Sequence, residues 1–101
     1  MARAVGLLAR REHSRVELAR KLQRYLEPDD DASEIDRVLD RLQAQNLLSD
    51  ARFAQALVTQ RAPRYGDLRM RRDLRDRGVE SIEADAAMEK LRGTEIARAQ
   101  A

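Results

Sequence analysis

Cysteine and tryptophan are absent from the 101 residues of the sequence, and histidine occurs once. Without cysteine, neither disulfides nor thiolate metal sites can form, which is typical of proteins in a reducing compartment. No apolar run approaches the roughly 18 residues of a membrane-spanning helix, and the N-terminus lacks the apolar segment of a signal peptide. These absences predict a soluble cytoplasmic protein that does not contact membranes.

The sequence also has few of the residues on which catalysis depends. A Ser-His-Asp arrangement would have to use His13, which is better explained as an exposed residue ahead of a helix cap at Ser14. The acidic residues 29–31 lack the glycine and the closing glutamate of a calcium loop and are interpreted as a solvated linker. The four glycines stand singly, so no phosphate-binding loop is present. The sequence therefore predicts no enzyme, no metal site and no cofactor.

Large apolar side chains are scarce as well. Hydrophobic residues make up 43% of the sequence, but 16 of them are alanine, whereas charged residues make up 38% and aromatic residues 3%. The remaining side chains can fill only a thin core, because a short chain buries little surface in any case. This predicts an elongated helical body rather than a deep globule.

The net charge of +2 conceals an alternation along the chain. Residues 1–25 carry a net charge of +5, residues 26–50 of −6, residues 51–79 of +5 and residues 80–101 of −2. Such charge blocks are typical of interaction surfaces. The two basic blocks predict two surfaces that contact anions, or one surface built from both.

Hydrophobic periodicity predicts helices almost throughout. Ser14 and Glu17 have the spacing of a capping box, Asn46 is a left-handed helix end, and Pro63 ends a further helix. Gly78 and Gly93 are expected to end the last two helices. The predicted helices cover residues 5–11, 14–26, 34–45, 50–62, 67–77 and 82–92.

These six helices form two triplets about 50 residues apart, the period expected of a helical repeat. Leu18 and Leu22 align with Met70 and Leu74 at an offset of 52 residues. The pattern predicts an all-α protein of tandem three-helix repeats, which bury their apolar faces against their neighbours. The repeats are assigned to residues 1–48 and 49–93, and residues 94–101 to the beginning of a third.

Two of the predicted helices carry basic side chains away from their apolar faces. Asp73 and Asp76 are the only acids within the second basic stripe, too few to neutralise it through pairs along the helix. Because guanidinium groups pair with both phosphates and carboxylates, the stripes predict contact with nucleic acid or with an acidic protein surface, and a merely solvated face remains the alternative. The candidate binding residues are Arg20, Lys21, Arg24, Arg61, Arg64, Arg69, Arg71, Arg72 and Arg75.

The few aromatic residues argue against a module that reads bases. Tyr25 is predicted on an apolar face and Phe53 in the core, which leaves only Tyr65 near the basic residues. Stacking platforms for single strands use several exposed rings. Contact with nucleic acid is therefore expected mainly at phosphates, with a steep dependence on salt.

Two stretches of the sequence resemble the RecX family, and together they cover most of residues 3–92. The first is Arg3-Ala-Val-Gly-Leu-Leu-Ala-Arg-Arg-Glu-His-Ser14, with Glu17-Leu18 and Arg20-Lys21-Leu22 after it. The second is Leu48-Ser-Asp-Ala-Arg-Phe-Ala54, followed by Arg61, Tyr65-Gly66, Arg69, Arg71, Leu74 and Gly78-Val79.

The resemblance implies tandem three-helix repeats and a regulator of the RecA recombinase in DNA repair, homologous recombination and the SOS response. Members of the family bind RecA and its filament on single-stranded DNA, and they restrain filament assembly, ATP hydrolysis, strand exchange and co-protease activity. They have no catalytic site or cofactor. The candidate basic residues would then face acidic filament surface or the bound strand, with the chain acting as a monomer. The family has a third repeat, of which this sequence offers only residues 94–101.

Two other classes of function remain open. The first is a stand-alone helical DNA-binding module in which residues 63–66 form the turn of a helix-turn-helix and contacts go to phosphates of single- or double-stranded DNA. A sequence reader of that type places polar base-contacting residues on one helix, and the helix predicted at 67–77 offers arginine but no Asn or Gln. The second is a structural adaptor that uses the acidic residues 27–36, for which charge is the only argument.

Overall fold

The computed structural model contains six α-helices and, in the part of the chain that it describes, no strand. It describes the backbone of residues 1–100 and the side chains of residues 1–94. The predicted all-α class and all six predicted helices are confirmed. In chain order they are α1 (Ala2–Arg10), α2 (Arg15–Gln23), α3 (Ser33–Ala44), α4 (Asp50–Arg61), α5 (Asp67–Asp76) and α6 (Ser81–Gln100).

The chain divides into two compact units, the first covering Met1–Ser49 and the second beginning at Asp50. Helices α1 to α3 belong to the first unit and α4 to α6 to the second. Each unit has a hydrophobic core of its own. The assignment of residues 94–101 to a third repeat includes Ala101, which lies outside the described residues, so it stays a prediction.

The core of the first unit is built from one apolar stripe on each helix and one residue after α3. A capping box begins α2, as predicted: the Ser14 hydroxyl accepts from the backbone N–H of Glu17 at 3.1 Å, and the Glu17 carboxylate accepts from that of Ser14 at 3.4 Å. This cap satisfies two free backbone N–H groups at the start of α2. The buried core residues are Ala4, Leu18, Ile35, Leu39, Leu42 and Leu48.

Asn46 ends α3 with the predicted left-handed backbone, at a φ of 60°. The amide groups of Leu47 and Leu48 then turn back and donate to the carbonyl oxygen of Leu42, at 2.9 and 3.2 Å. This closure satisfies a free carbonyl at the helix end. It also places the side chain of Leu48 in the core.

In the second unit, Gly78 makes the same kind of reversal after α5, with a φ of 86°. The amide of Val79 donates to the carbonyl oxygen of Leu74 at 3.0 Å, and Val79 is buried. The predicted stop at Gly78 is therefore confirmed. The buried core of this unit comprises Phe53, Ala54, Leu57, Val58, Met70, Leu74, Val79, Ala84, Ala87 and Met88.

The prediction that Gly93 ends the last helix is wrong, because α6 continues through it to Gln100. Glycine in a helix interior costs only about 1 kcal/mol relative to alanine. One such residue does not stop a helix whose following residues are good helix formers. The Thr94 hydroxyl donates to the carbonyl oxygen of Lys90 at 3.0 Å, which is itself a contact within the continuing helix.

The placement of Tyr25 on an apolar face is also wrong. Helix α2 ends at Gln23, three residues earlier than predicted, and the periodicity that would have turned Tyr25 inward ends with it. Leu18 is buried and Leu22 is half-buried on the predicted stripe, but Tyr25 is 53% exposed. Its ring therefore lies at the surface of the first unit.

Candidate partner-binding surfaces

The basic residues predicted for the first unit lie on the outer side of α2 and directly after it. Arg20 and Arg24 are exposed, and neither joins an ion pair among the described side chains. Both guanidinium groups are therefore available to an anionic partner.

Lys21 is held differently, because it bonds to a buried imidazole. Its ammonium nitrogen lies 2.8 Å from Nε2 of His13, and Nδ1 of His13 lies 3.0 Å from the carbonyl oxygen of Arg11. An ammonium group can only donate, so Nε2 accepts and the Nδ1–H donates to the carbonyl. The imidazole is neutral in this arrangement.

The prediction that His13 is exposed is wrong, since the residue is 1% exposed. One ring nitrogen finds its partner in the turn between α1 and α2, at the Arg11 carbonyl, and the other in α2, at Lys21. Burial lowers the pKa of His13, and the nearby positive charges of Arg11 and Lys21 lower it further. The bond to the Arg11 carbonyl and the charge of Glu17 oppose that shift without reversing it. The sequence held no signal for this burial, because it depends on where the turn places the ring.

Two basic residues of the first unit outside the predicted set, Arg11 and Arg15, are engaged in internal ion pairs. Arg11 forms a two-pronged contact with Glu17 at 3.0 and 3.2 Å. Burial raises the pKa of Glu17, but the hydrogen bond and charge of Arg11 outweigh it, so this pKa lies below its ordinary value. Arg15 reaches from α2 to Asp40 of α3 at 2.8 Å. These pairs connect the turn and the helices of the unit.

In the second unit, Arg61 belongs to the joint between α4 and α5. Its guanidinium lies 2.8 Å from Oδ2 of Asp73, while Nε of Arg77 lies 3.0 Å from Oδ1 of the same carboxylate. Arg61 also donates to the hydroxyl of Tyr65 at 3.2 Å. Asp73 is only 18% exposed, so these charge-assisted bonds are stronger than pairs in open water. Arg61 is thus turned inward, although it was predicted to contact the partner.

Tyr65 also orients Arg69. The centre of the Arg69 guanidinium lies 3.9 Å from the centroid of the Tyr65 ring, within the range of a cation–π contact. The same ring packs against the core of the second unit. Arg69 is thereby held along the surface of α5, where a groove is lined by Tyr65, Leu68, Arg69, Arg72, Asp73 and Asp76. Leu68 is 82% exposed at this groove.

Arg71 differs from its neighbours on α5, because it forms an ion pair with Asp85 of α6. The sequence predicted partner contacts for Arg71, Arg72 and Arg75 alike. The structure turns Arg71 toward α6 and leaves the other two exposed. A second pair, between Arg92 and Asp67 at 2.9 Å, also joins α6 to α5.

The structure therefore divides the nine predicted residues into two groups. Lys21, Arg61, Arg69 and Arg71 are engaged by other side chains of their own unit. The others are exposed, and none of them joins an ion pair with a described side chain. We call these five residues the open arginines: Arg20, Arg24, Arg64, Arg72 and Arg75.

One surface contact was missed in the sequence. The centre of the Arg3 guanidinium lies 3.7 Å from the centroid of the exposed Tyr25 ring. The contact brings the N-terminal turn of α1 against Tyr25, the second residue after the end of α2. Predicting it requires the true end of α2, since a longer helix turns the ring toward the core.

The described part of the chain offers neither a cluster of metal ligands nor a membrane-spanning helix. No group of three His, Asp or Glu side chains there converges in a way that would hold a metal ion. Among the same residues, no helix is both long enough and apolar enough to cross a bilayer.

Residues 49–88, which contain α4, α5 and the first part of α6, match the family model described as the second three-helix domain of RecX. Similarity to individual proteins extends over almost the whole chain. Regulatory protein RecX of Ralstonia pickettii is 44% identical over 100 residues, which cover 99% of this chain and 61% of that protein. Regulatory protein RecX of Leptothrix cholodnii is 45% identical over 98 residues, covering 97% and 60%. The chain thus spans about three fifths of the length of these relatives.

A crystal structure of a regulatory protein RecX has the same fold. It superposes with a TM-score of 0.75 over 89% of this chain and 46% of that chain, at 21% sequence identity. At this identity the likeness concerns the fold alone. It confirms the architecture of tandem helical repeats.

Proposed function

Because this chain belongs to the RecX family, we propose that it regulates the RecA recombinase by binding RecA and its filament on single-stranded DNA. The observation that carries the proposal is the 44% identity to a regulatory protein RecX over 99% of the chain. The regulation is negative: binding limits filament assembly, ATP hydrolysis, strand exchange and co-protease activity. The chain acts by binding and performs no catalysis of its own.

The open arginines supply the first contacts with the filament in this proposal. They present unpaired guanidinium groups, which suit the carboxylates of an acidic protein surface and the phosphates of the bound strand. Arg69, stacked on Tyr65, meets the partner with little further loss of side-chain freedom. Lys21, Arg61 and Arg71 contribute positive charge behind these contacts and hold the units in shape. The exposed side chain of Leu68 adds an apolar contact among the charged contacts of α5.

The test measures ATP hydrolysis by RecA on single-stranded DNA while the chain is titrated into the reaction. Wild type is expected to inhibit, and the double variant R72E/R75E to require at least about fivefold more protein for half-inhibition. Each exposed ion pair contributes up to about 1 kcal/mol, and charge reversal turns attraction into repulsion. Both side chains are exposed, so helicity by circular dichroism should stay unchanged.

The matched control is the double variant R41E/K90E, which changes the net charge by the same amount. Arg41 and Lys90 are exposed and lie outside the predicted set. The control should inhibit like wild type. Equal loss in both variants would mean that net charge matters and the α5 face does not. No inhibition by wild type at any ratio would overturn the proposed function.

The same exposed guanidinium groups also fit the alternative of a stand-alone DNA-binding module. That module would retain a salt-dependent affinity for duplex DNA in the absence of RecA, because its contacts are to phosphates. Filter binding with random and chosen duplexes distinguishes the two functions. Tight binding to DNA together with no effect on RecA would favour the module.

A further inference from the structure

Both tyrosines of the chain lie under an arginine, but their surroundings differ. Tyr65 packs against the core of its unit, and its hydroxyl accepts a hydrogen bond from Arg61 at 3.2 Å. Its position is therefore explained by the packing of the second unit. Arg69 covers the ring at 3.9 Å.

Tyr25 has no comparable structural role among the described side chains. It is absent from the residues that pack against the core of the first unit, and its hydroxyl has no hydrogen-bond partner there. Its ring is half exposed, with the guanidinium of Arg3 at 3.7 Å from the centroid. An aromatic ring covered by a cation is thus left about half exposed at the surface.

Two arginines lie next to this ring, Arg3 over its face and Arg24 directly before it in the sequence. The neighbouring Arg24 is exposed and unpaired, and residues 1–25 carry a net charge of +5. A ligand that matches both properties has a flat ring and a negative charge next to it. Unpaired nucleotides combine these features, and they stack on aromatic rings and on guanidinium planes. An acidic peptide would use the arginines but would leave the ring largely unused.

We propose that Arg3 and Tyr25 form a stacking site for an unpaired base of single-stranded nucleic acid, with Arg24 contacting the adjoining phosphate. Duplex bases stack on each other inside the helix, so the site favours single strands. The proposal goes beyond regulation of RecA, because it concerns binding of the bare strand. It also means that single-strand contact in this chain is not confined to phosphates.

The experiment compares two probes of equal length, an oligothymidylate and an oligomer whose sugars carry no bases. Both have the same phosphates, so a difference in their affinities reports contacts to bases. Fluorescence anisotropy with the full chain should show tighter binding of the oligothymidylate by about fivefold or more, the effect of stacking one base. The variant Y25L should lose this difference while still binding both probes through phosphates. The variant Y25F keeps the ring and should behave like wild type.

A second readout uses the absence of tryptophan from the chain. In the variant Y25W, the single indole should be quenched by the oligothymidylate and not by the base-free oligomer. Equal affinity of wild type for the two probes would overturn the proposal, as would a preference that persists in Y25L. Loss of RecA inhibition in Y25L with unchanged binding of oligothymidylate would assign the ring to a protein contact instead. Because RecA is absent from the anisotropy assay, failure here leaves the proposed function untouched.

Discussion

His13 joins the turn after α1 to α2 through two hydrogen bonds, one to the carbonyl oxygen of Arg11 and one from Lys21. The bond from Lys21 needs the neutral ring, since a protonated imidazole has no free acceptor for the Lys21 ammonium. At the scale of the residue, the protonation state of His13 is thus coupled to the packing of this turn against α2. A buried group of this type makes stability depend on pH.

The pKa of His13 is lowered in the folded chain, so the unfolded chain takes up a proton first as the pH falls. The stabilisation is therefore complete above the ordinary pKa of about 6.5 and is lost as the pH falls below it toward the lower folded pKa. We expect the free energy of unfolding, measured with urea, to decrease between pH 7.5 and pH 5.5. The variant H13Q should lack this part of the slope and should be less stable by about 1–3 kcal/mol at pH 7.5.

Subtracting the H13Q curve from the wild-type curve removes the contributions of other groups. The pKa of Glu83 is raised, by burial first and then by the charges of Asp50 and Glu80, so it changes stability with the opposite sign in acid. The pKa of Glu17 is lowered, so Glu17 changes the free energy of unfolding only at pH values below this window. Parallel curves for wild type and H13Q would contradict the assignment of the neutral buried ring.

At the scale of the helix, two glycines of the second unit have opposite roles. Gly78 has a φ of 86°, where side chains with a Cβ are strained, and it ends α5. Gly93 lies inside α6, where an added Cβ would meet no atom within 4 Å. We expect G78A to destabilise the chain by about 1–2 kcal/mol and G93A to stabilise it by about 0.5–1 kcal/mol. Thermal unfolding followed by circular dichroism checks both, and a shift of the same sign in the two variants would contradict the helix ends described above.

The joint between α4 and α5 depends on the carboxylate of Asp73, which accepts hydrogen bonds from the guanidinium groups of Arg61 and Arg77. Removing it in D73A takes away the carboxylate that these two guanidinium groups share and should lower the free energy of unfolding by about 2–3 kcal/mol. The control D76A removes an exposed carboxylate from the same helix and should change stability by less than about 0.5 kcal/mol. Urea unfolding of the two variants measures the difference. Equal values would mean that this half-buried network adds nothing beyond a surface charge.

Most of the fold could be predicted because the signals that set it are local. The capping box at Ser14, the left-handed Asn46 and Gly78, and the helical periodicity each act within a few residues of the sequence. His13 and Tyr25 were misplaced because their exposure depends on the end of α2 and on a turn. For the same reason, the sequence could identify a basic stripe but not which arginines face acids across the unit, as Arg61 and Arg71 do.

At the scale of the whole molecule, each unit presents its own open arginines, Arg20 and Arg24 in the first, and Arg64, Arg72 and Arg75 in the second. If both units contact the filament, charge reversals in each should weaken inhibition of RecA independently. We expect R20E/R24E and R72E/R75E each to raise the half-inhibiting concentration about fivefold or more. The quadruple variant, which combines all four substitutions, should show the product of the two effects. Free-energy changes at separate, unconnected sites add in this way.

The quadruple variant distinguishes contacts made by both units from contacts made by one unit alone. An effect no larger than that of the stronger pair alone would mean that one unit carries the binding and the other is a spacer. An inhibition curve for R20E/R24E that matches wild type would mean that Arg20 and Arg24 do not contact the filament. The charge-matched control R41E/K90E should again inhibit like wild type.

Raising the salt concentration should narrow the difference in half-inhibiting concentration between wild type and the quadruple variant, because exposed charge contacts are screened within about 8 Å at physiological ionic strength. A gap that does not change with salt would mean that the arginines act through packing, and the electrostatic account of this surface would then fail.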